Sequence, residues 1–312
     1  MKKYCFGVDI GGTSIKMGLF NITGELIEKW EIPTRIGEGS KYILPDVARS
    51  IARKMAEKNI EKEDVAGIGY GVPAPVSEGG VVAEAANLGW KNKEVSRELS
   101  ELTGFPTNGG NDVNTAALGE MWKGAAKGHK NLVMITIGTG VGGAIIADGK
   151  IVTGESGGAG EVGHIHVEDE CDVPCGCGGY GCMEQYGSAT GVVRMTKELL
   201  AKSDIPSLLR EEEITAKAVF DAIKSGDKLA LEVAERFGKY IGMALGAIAA
   251  TVEPEIFIVG GGVSKAGPVV IEYIQKYYKV YAWPGIRNKP FVLAELGNDA
   301  GIYGAAGLFL AD

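Results

Sequence analysis

The chain has 312 residues, enough for roughly two domains at about 150 residues each. Hydrophobic residues make up 45% and charged residues 23%, which excludes general disorder, and no run of about 18 apolar residues offers a membrane span. The net charge is −8 without any long Lys/Arg tract, which argues against nucleic acid as a partner.

Glycine stands out at 48 residues, about twice the typical share of ~7%. There is no Gly-X-Y period, so collagen is excluded; the glycines gather at strand ends, where backbone must approach something closely. The N-terminus, MKKYCFGVDI, enters a strand-like run without a signal-peptide core, so a cytoplasmic protein is expected. Of the five cysteines, four fall between Cys171 and Cys182. In a reducing compartment such a cluster reads as a metal site before it reads as a disulfide.

In chain order, Tyr4 to Asp9 reads as a buried strand turning at Ile10-Gly11-Gly12-Thr13 into a second strand, Ser14 to Asn21, and a third, Leu26 to Ile32. Helical spacing follows over Pro45–Asn59, with Val47, Ile51 and Met55 on one face. Val65–Gly71 is strand-like, Pro73-Ala74-Pro75 is a rigid turn, and Lys93–Thr103 looks helical. Val113–Ala126 is helical behind the natural capping pair Asn111-Asp112. Strands over Leu132–Ile137 and Gly143–Ala147 flank another glycine turn. Helices are expected over Gln185–Lys202, Thr215–Ser225 and Lys228–Thr251. A strand over Glu255–Val259 runs into Gly260-Gly261-Gly262, and helices over Pro268–Tyr278 and Asp299–Leu310 complete the series.

A shift of 127 places Asp9 on Thr136, Gly11 on Gly138 and Asn21 on Asp148. Strand, glycine turn, strand, polar turn thus occurs twice, which suggests two related halves with a ligand cleft between them. The boundaries expected are 1–113 plus 298–312 for a small lobe and 114–297 for a large one.

Gly138-Thr139-Gly140-Val141-Gly142-Gly143 satisfies G-x-G-x-x-G, but a strand follows where a dinucleotide site needs a helix, so that reading fails. No P-loop motif is present either. What remains is three glycine turns at strand ends, suited to phosphate through backbone N–H groups and the Thr13 and Thr139 hydroxyls. Asp9 stands just before the first turn and suits Mg²⁺ held through water.

Asp9-Ile-Gly-Gly-Thr13, Asn111-Asp112, the Gly138–Gly143 run, Glu161-Val-Gly-His164 and Cys175-Gly-Cys177-Gly-Gly-Tyr-Gly-Cys182-Met-Glu184 together resemble the ROK family of repressors, open reading frames and kinases. Within it the likeness is greatest to the bacterial glucokinase branch, and the motifs span nearly the whole chain in family order. The resemblance implies a duplicated actin-like, ribonuclease-H-like α/β fold of two lobes with ATP in the central cleft. It also implies ATP-dependent phosphorylation of glucose at its 6-hydroxyl, usually by a homodimer. Kinases for fructose, mannose, N-acetylmannosamine or N-acetylglucosamine share the same pocket residues. The repressor branch carries an N-terminal helix-turn-helix, for which the motif at Asp9 leaves no room.

His164, Cys175, Cys177 and Cys182 supply three thiolates and an imidazole, the set for a closed structural zinc site, with glycines that let a short loop wrap the ion. Cys171 could replace His164, and His166 is a further alternative that strand alternation would point away. Cys5 reads as core. Asp112 is the candidate general base for a sugar hydroxyl, with helix capping as its plain alternative. Asn111 could bond a neighbouring hydroxyl. Glu161, His164 and Glu184 resemble the family's sugar-binding trio, and Asn87 is a further sugar contact. To ATP and Mg²⁺ fall Asp9, Gly11, Gly12, Thr13, Gly138, Thr139, Gly140, Gly261 and Gly262.

Overall fold

The structure, a computed structural model, describes residues 2–77, 79–211 and 213–310. It divides into two compact units. The first holds the chain up to Gly128, Ile151–Ala159 and the stretch from Glu295 onward; the second holds His129–Lys150 and Gly160–Ala294.

In chain order the first unit contains β1 (Tyr4–Ile10), β2 (Ser14–Asn21), β3 (Leu26–Pro33), α1 (Ile43–Lys58), β4 (Val65–Val72), β5 (Val81–Ala85), β6 (Trp90–Glu94), α2 (Val95–Thr103), β7 (Thr107–Asn111) and α3 (Asp112–Lys123). Its main sheet runs β3-β2-β1-β4-β7; β1 to β3 are antiparallel, and β4 and β7 run parallel to β1. Most of β1 and β4 is buried, which is why both strands read as continuous apolar runs instead of alternating. The helix expected from Lys93 begins only at Val95, because Trp90–Glu94 pairs with Val81–Ala85 as a hairpin. The core gathers Phe6, Ile15, Met17, Ile51, Tyr70 and Trp90. Cys5 is fully buried beside Phe20 and Ile302, as its place in the first strand implied.

The second half continues with β8 (Leu132–Ile137), β9 (Val141–Ala147), β10 (Lys150–Ile151), α4 (Glu184–Gly187), α5 (Ala189–Lys202), α6 (Ala216–Lys224), α7 (Lys228–Val252), β11 (Ile256–Gly260), α8 (Pro268–Tyr281) and β12 (Phe291–Leu293). Its sheet order is β10-β9-β8-β11-β12, the counterpart of the first strand for strand. The expected helix over 185–202 breaks at Ser188, whose hydroxyl caps α5 by accepting the Gly191 N–H at 3.0 Å. Phe220, Phe237, Ile241, Phe257 and Tyr278 belong to this unit's core.

The duplication has one register change. Four residues, 11–14, join Ile10 to its partner Ile15, whereas three, 138–140, join Ile137 to Val141. The shift is therefore 127 before the turn and 126 after it, and Asn21 corresponds to Ala147 and not to Asp148, which a single shift of 127 would give.

The last helix, α9 (Ala300–Leu310), packs in the first unit. Gly7 of β1 and Gly69 of β4 admit its backbone: a Cβ on either would strike the Ile302 or Ala305 carbonyl. Gly119 and Gly304 bring α3 and α9 into equally close contact. This packing moves the expected boundary. A junction near 113 would put α3 in the second lobe, but α3 lies on α9, and the first unit runs on to Gly128. Among the described residues no helix is long and apolar enough to cross a membrane.

Candidate active site

The first glycine turn sits at the end of β1. Asp9, on that strand, faces Lys16 across the antiparallel pair, with Nζ 3.9 Å from Oδ2. Burial pushes the Asp9 carboxyl above its ordinary range, and Lys16 draws it part of the way back. Gly301 of α9 backs this carboxylate so closely that a Cβ there would lie 2.8 Å from Asp9 Cγ. The Gly11 N–H donates to the Ser14 carbonyl at 3.0 Å and the Thr34 hydroxyl donates to the Gly11 carbonyl at 2.7 Å. Gly11 thus shapes the turn, and its N–H is committed there. Asn87 is exposed in a short 3₁₀ turn beside Gly12, its carbonyl 3.7 Å from where a Cβ would stand.

At the start of α3 the capping duty falls on Asn111. Its Oδ1 accepts the Val113 N–H at 2.9 Å and the Asn114 N–H at 3.1 Å. Asp112 is the first residue of the helix, and its Oδ1 accepts the Val113 N–H at 2.9 Å. With its amide oxygen engaged, Asn111 can approach a ligand only as a donor through Nδ2, which lies 3.5 Å from the Ala74 carbonyl of the Pro73-Ala74-Pro75 turn.

In the second unit Glu184 joins two motifs. Its Oε2 accepts the Val141 N–H at 2.8 Å, directly after the second glycine turn, and its Oε1 lies 3.8 Å from Cys175 Sγ. A Cβ on Gly140 would run into this carboxylate. His164 follows in the 3₁₀ turn Val162–His164, its N–H donating to the Glu161 carbonyl at 3.2 Å. Glu161 is itself exposed. The Gly138 N–H closes the second turn onto the Gly140 carbonyl at 2.9 Å, and the Thr190 hydroxyl bonds the Thr139 carbonyl at 2.8 Å.

The ligand atoms of His164, Cys175, Cys177 and Cys182 all lie within 4.8 Å of one another. Cys177 Sγ and Cys182 Sγ are 3.7 Å apart, far beyond a disulfide bond of about 2.05 Å. That separation is close to what two Zn–S bonds of about 2.3 Å at a tetrahedral angle require. Cys175 Sγ is 3.7 Å from His164 Nδ1. Cys171 stands apart, with Sγ on the Val173 carbonyl at 3.3 Å, so it does not replace His164. His166 turns to the Tyr180 carbonyl at 2.9 Å and Asp169 at 2.8 Å. The donor set fits a closed four-coordinate metal.

Beside the second glycine turn lies a cavity of about 490 Å³. Gly138, Thr139 and Gly262 line it, which brings together the second and third glycine turns. Gly261, at φ +83°, is pressed against the backbone of Ile137. The other walls are Ala189, Ala216, Phe220, Val263 and Ala266, with Lys217, Asp221, Lys224 and Lys265 at the rim. None of these carries a sequence signal of its own: they come from the start of α5, from α6 with its ordinary helical periodicity, and from the short turn Val263–Ala266. Lys16 was missed too; its signal was the strand register that sets it opposite Asp9.

The ROK family pattern matches residues 5–312. The glucokinase of Halalkalibacterium halodurans is 40% identical over 98% of this chain and 94% of its own. A ROK glucokinase from Streptomyces griseus, solved with glucose and AMPPNP, is 32% identical with a TM-score of 0.77 over 98% of this chain and 99% of that one. A ROK hexokinase from Thermus thermophilus is 29% identical with a TM-score of 0.79 over 97% and 96% of the two chains. Two units of one strand order, the glycine turns and the His/Cys₃ cluster thus accompany a match over nearly the whole sequence, and the chain belongs to the ROK family.

Proposed function

We propose that this chain transfers the γ-phosphoryl group of ATP to the 6-hydroxyl of glucose, giving glucose 6-phosphate and ADP. The observation that carries the reading is the corner at α3: Asn111 caps the helix, and Asp112 follows it as the first helical residue, its carboxylate fixed there by the Val113 N–H. A carboxylate in that place suits a general base, which accepts the hydroxyl proton as the oxygen attacks phosphorus. The glucokinase names of the relatives support the same chemistry.

Glu161, His164 and Glu184 present hydrogen-bonding groups suited to ring hydroxyls, with Asn87 and the Asn111 amide as further partners. Gly138, Thr139 and Gly262 border the cavity assigned to the nucleotide, Gly140 and Gly261 belong to the same two turns and are assigned with them, and Asp9 with the 11–13 turn is assigned to phosphate and Mg²⁺. When bound, Mg²⁺ neutralises charge on the transferring phosphoryl group. His164, Cys175, Cys177 and Cys182 would hold a structural Zn²⁺ that ties Glu184 and His164 to one loop. A homodimer in the cytoplasm, where thiolate ligands stay reduced, is the setting this reading implies.

A coupled ADP-release assay with Mg-ATP over a panel of hexoses tests it. Glucose should be turned over with the highest kcat/KM, and Asp112→Asn should lose about 10²- to 10⁴-fold in kcat while still binding sugar. No turnover of any hexose would refute the activity, preference for another sugar would reassign the substrate, and near-normal turnover by Asp112→Asn would refute the base.

A further inference from the structure

Glu120 lies on α3 and is fully buried. Its carboxylate accepts three main-chain N–H groups: Oε2 from Ala125 at 2.9 Å and Glu295 at 3.1 Å, Oε1 from Leu296 at 2.8 Å. The first donor is an ordinary neighbour just past the helix. The other two come from a segment about 175 residues further along, where the chain re-enters the first unit. One side chain therefore fixes the entry to α9.

That entry reaches the first glycine turn in two steps. Asn298, two residues beyond Leu296, accepts the Lys16 ammonium on its carbonyl at 3.3 Å. The same Lys16 Nζ lies 3.9 Å from Asp9 Oδ2. Gly301, three residues further, forms the wall behind the Asp9 carboxylate. We infer that Glu120 is a positioning residue for the phosphoryl-donor side of the reaction: it holds the 295–296 backbone, and through Asn298, Lys16 and Gly301 it sets the place of the Asp9 carboxylate. The inference rests on the proposed role of Asp9 toward Mg²⁺ and ATP. Its alternative is a purely structural clamp, whose loss would weaken the whole unit without preference for either substrate.

In Glu120→Gln one acceptor oxygen becomes an N–H donor facing backbone donors, so the segment loses at least one tie while the side-chain volume is kept. Mg-AMPPNP should bind about five- to ten-fold more weakly by titration calorimetry, and KM for Mg-ATP should rise alike. KM for the sugar should move less than about two-fold, and amide exchange at 295–298 should quicken. Lys16→Met, which removes the link to Asp9 from a partly exposed site, should reproduce the nucleotide effect. The double variant should be no worse than the more affected single one.

A folded Glu120→Gln with unchanged Mg-AMPPNP affinity overturns the inference, as do sugar and nucleotide affinities that fall together. If Glu120→Gln does not fold, Lys16→Met decides, and its unchanged Mg-AMPPNP affinity overturns the inference. A wild-type chain that binds Mg-AMPPNP yet phosphorylates no hexose refutes the proposed activity and leaves this binding test standing.

Discussion

The two glycine turns close the same corner of the same strand order, but their surroundings differ. Four residues make the first turn; Asp9 precedes it, Lys16 faces that acid, and the backbone of α9 stands behind it. Three make the second; Thr136 takes the place of the acid, and a carboxylate arrives from elsewhere, as Glu184 bonds the Val141 N–H at 2.8 Å. Duplication accounts for the scaffold of each turn. The surroundings differ in what was added around them, the His/Cys₃ loop and α4 in one unit and a returning helix in the other.

The largest test of this difference is the metal. Stripping zinc by chelation, or replacing Cys177 with Ser, should loosen the loop that carries His164 and Glu184 and weaken glucose binding by about 100-fold or more, with one zinc lost per chain. The first unit, which shares none of these ligands, should keep its secondary structure by circular dichroism. Full activity in zinc-free protein would end the argument.

Next comes a matched pair of substitutions. Gly140→Ala forces the Glu184 carboxylate away and breaks a charged hydrogen bond of about 1.5–3 kcal/mol, so KM for glucose should rise about ten-fold or more. Gly12→Ala places its methyl at 3.7 Å from the Asn87 carbonyl, an ordinary contact. Stability should then change by less than about 0.5 kcal/mol, with KM for Mg-ATP the parameter that moves. Equal effects on both substrates from both variants would show the turns to be equivalent after all.

The smallest effect concerns the outer strands. β3 is tied to α1 by Glu28, whose oxygens lie 2.6 Å from Lys54 Nζ and 2.7 Å from Lys58 Nζ; its counterpart β10 has only two residues. Hydrogen bonds from Lys54 and then Lys58 hold the Glu28 carboxyl down to about 2. An ordinary glutamate titrates at about 4.3, so the folded state binds this proton less readily than the unfolded one. The stability it contributes is present above about pH 4 and is lost as pH falls toward 2. Glu28→Gln should flatten the acid limb of the stability curve in that window and leave neutral-pH activity unchanged.

β8 was legible because its apolar run is continuous, and β2 because a glycine turn and a polar turn bound it; both begin and end where the sequence placed them. β7 was not, since Thr107-Asn-Gly-Gly-Asn111 has no strand character of its own and is made a strand by parallel pairing with β4. Fixed spacing and glycine content exposed the His/Cys₃ segment, yet only geometry separates Cys171 from the other four groups. The cavity wall from α6 and the part played by Glu120 were hidden for a shared reason. Their partners lie far away in sequence, and a glutamate on a helix carries no mark of burial.

The place of α9 has a consequence for how the chain comes off the ribosome. Residues 4–72 supply β1 to β4 early, but the helix that lies on β1 and β4 is encoded at 300–310, after the whole second unit. The second unit's residues have all emerged before the first can be finished. Until then Gly7 and Gly69 mark an uncovered strip of sheet, the stretch where a nascent chain of this design is most open to chaperones and to wrong pairing.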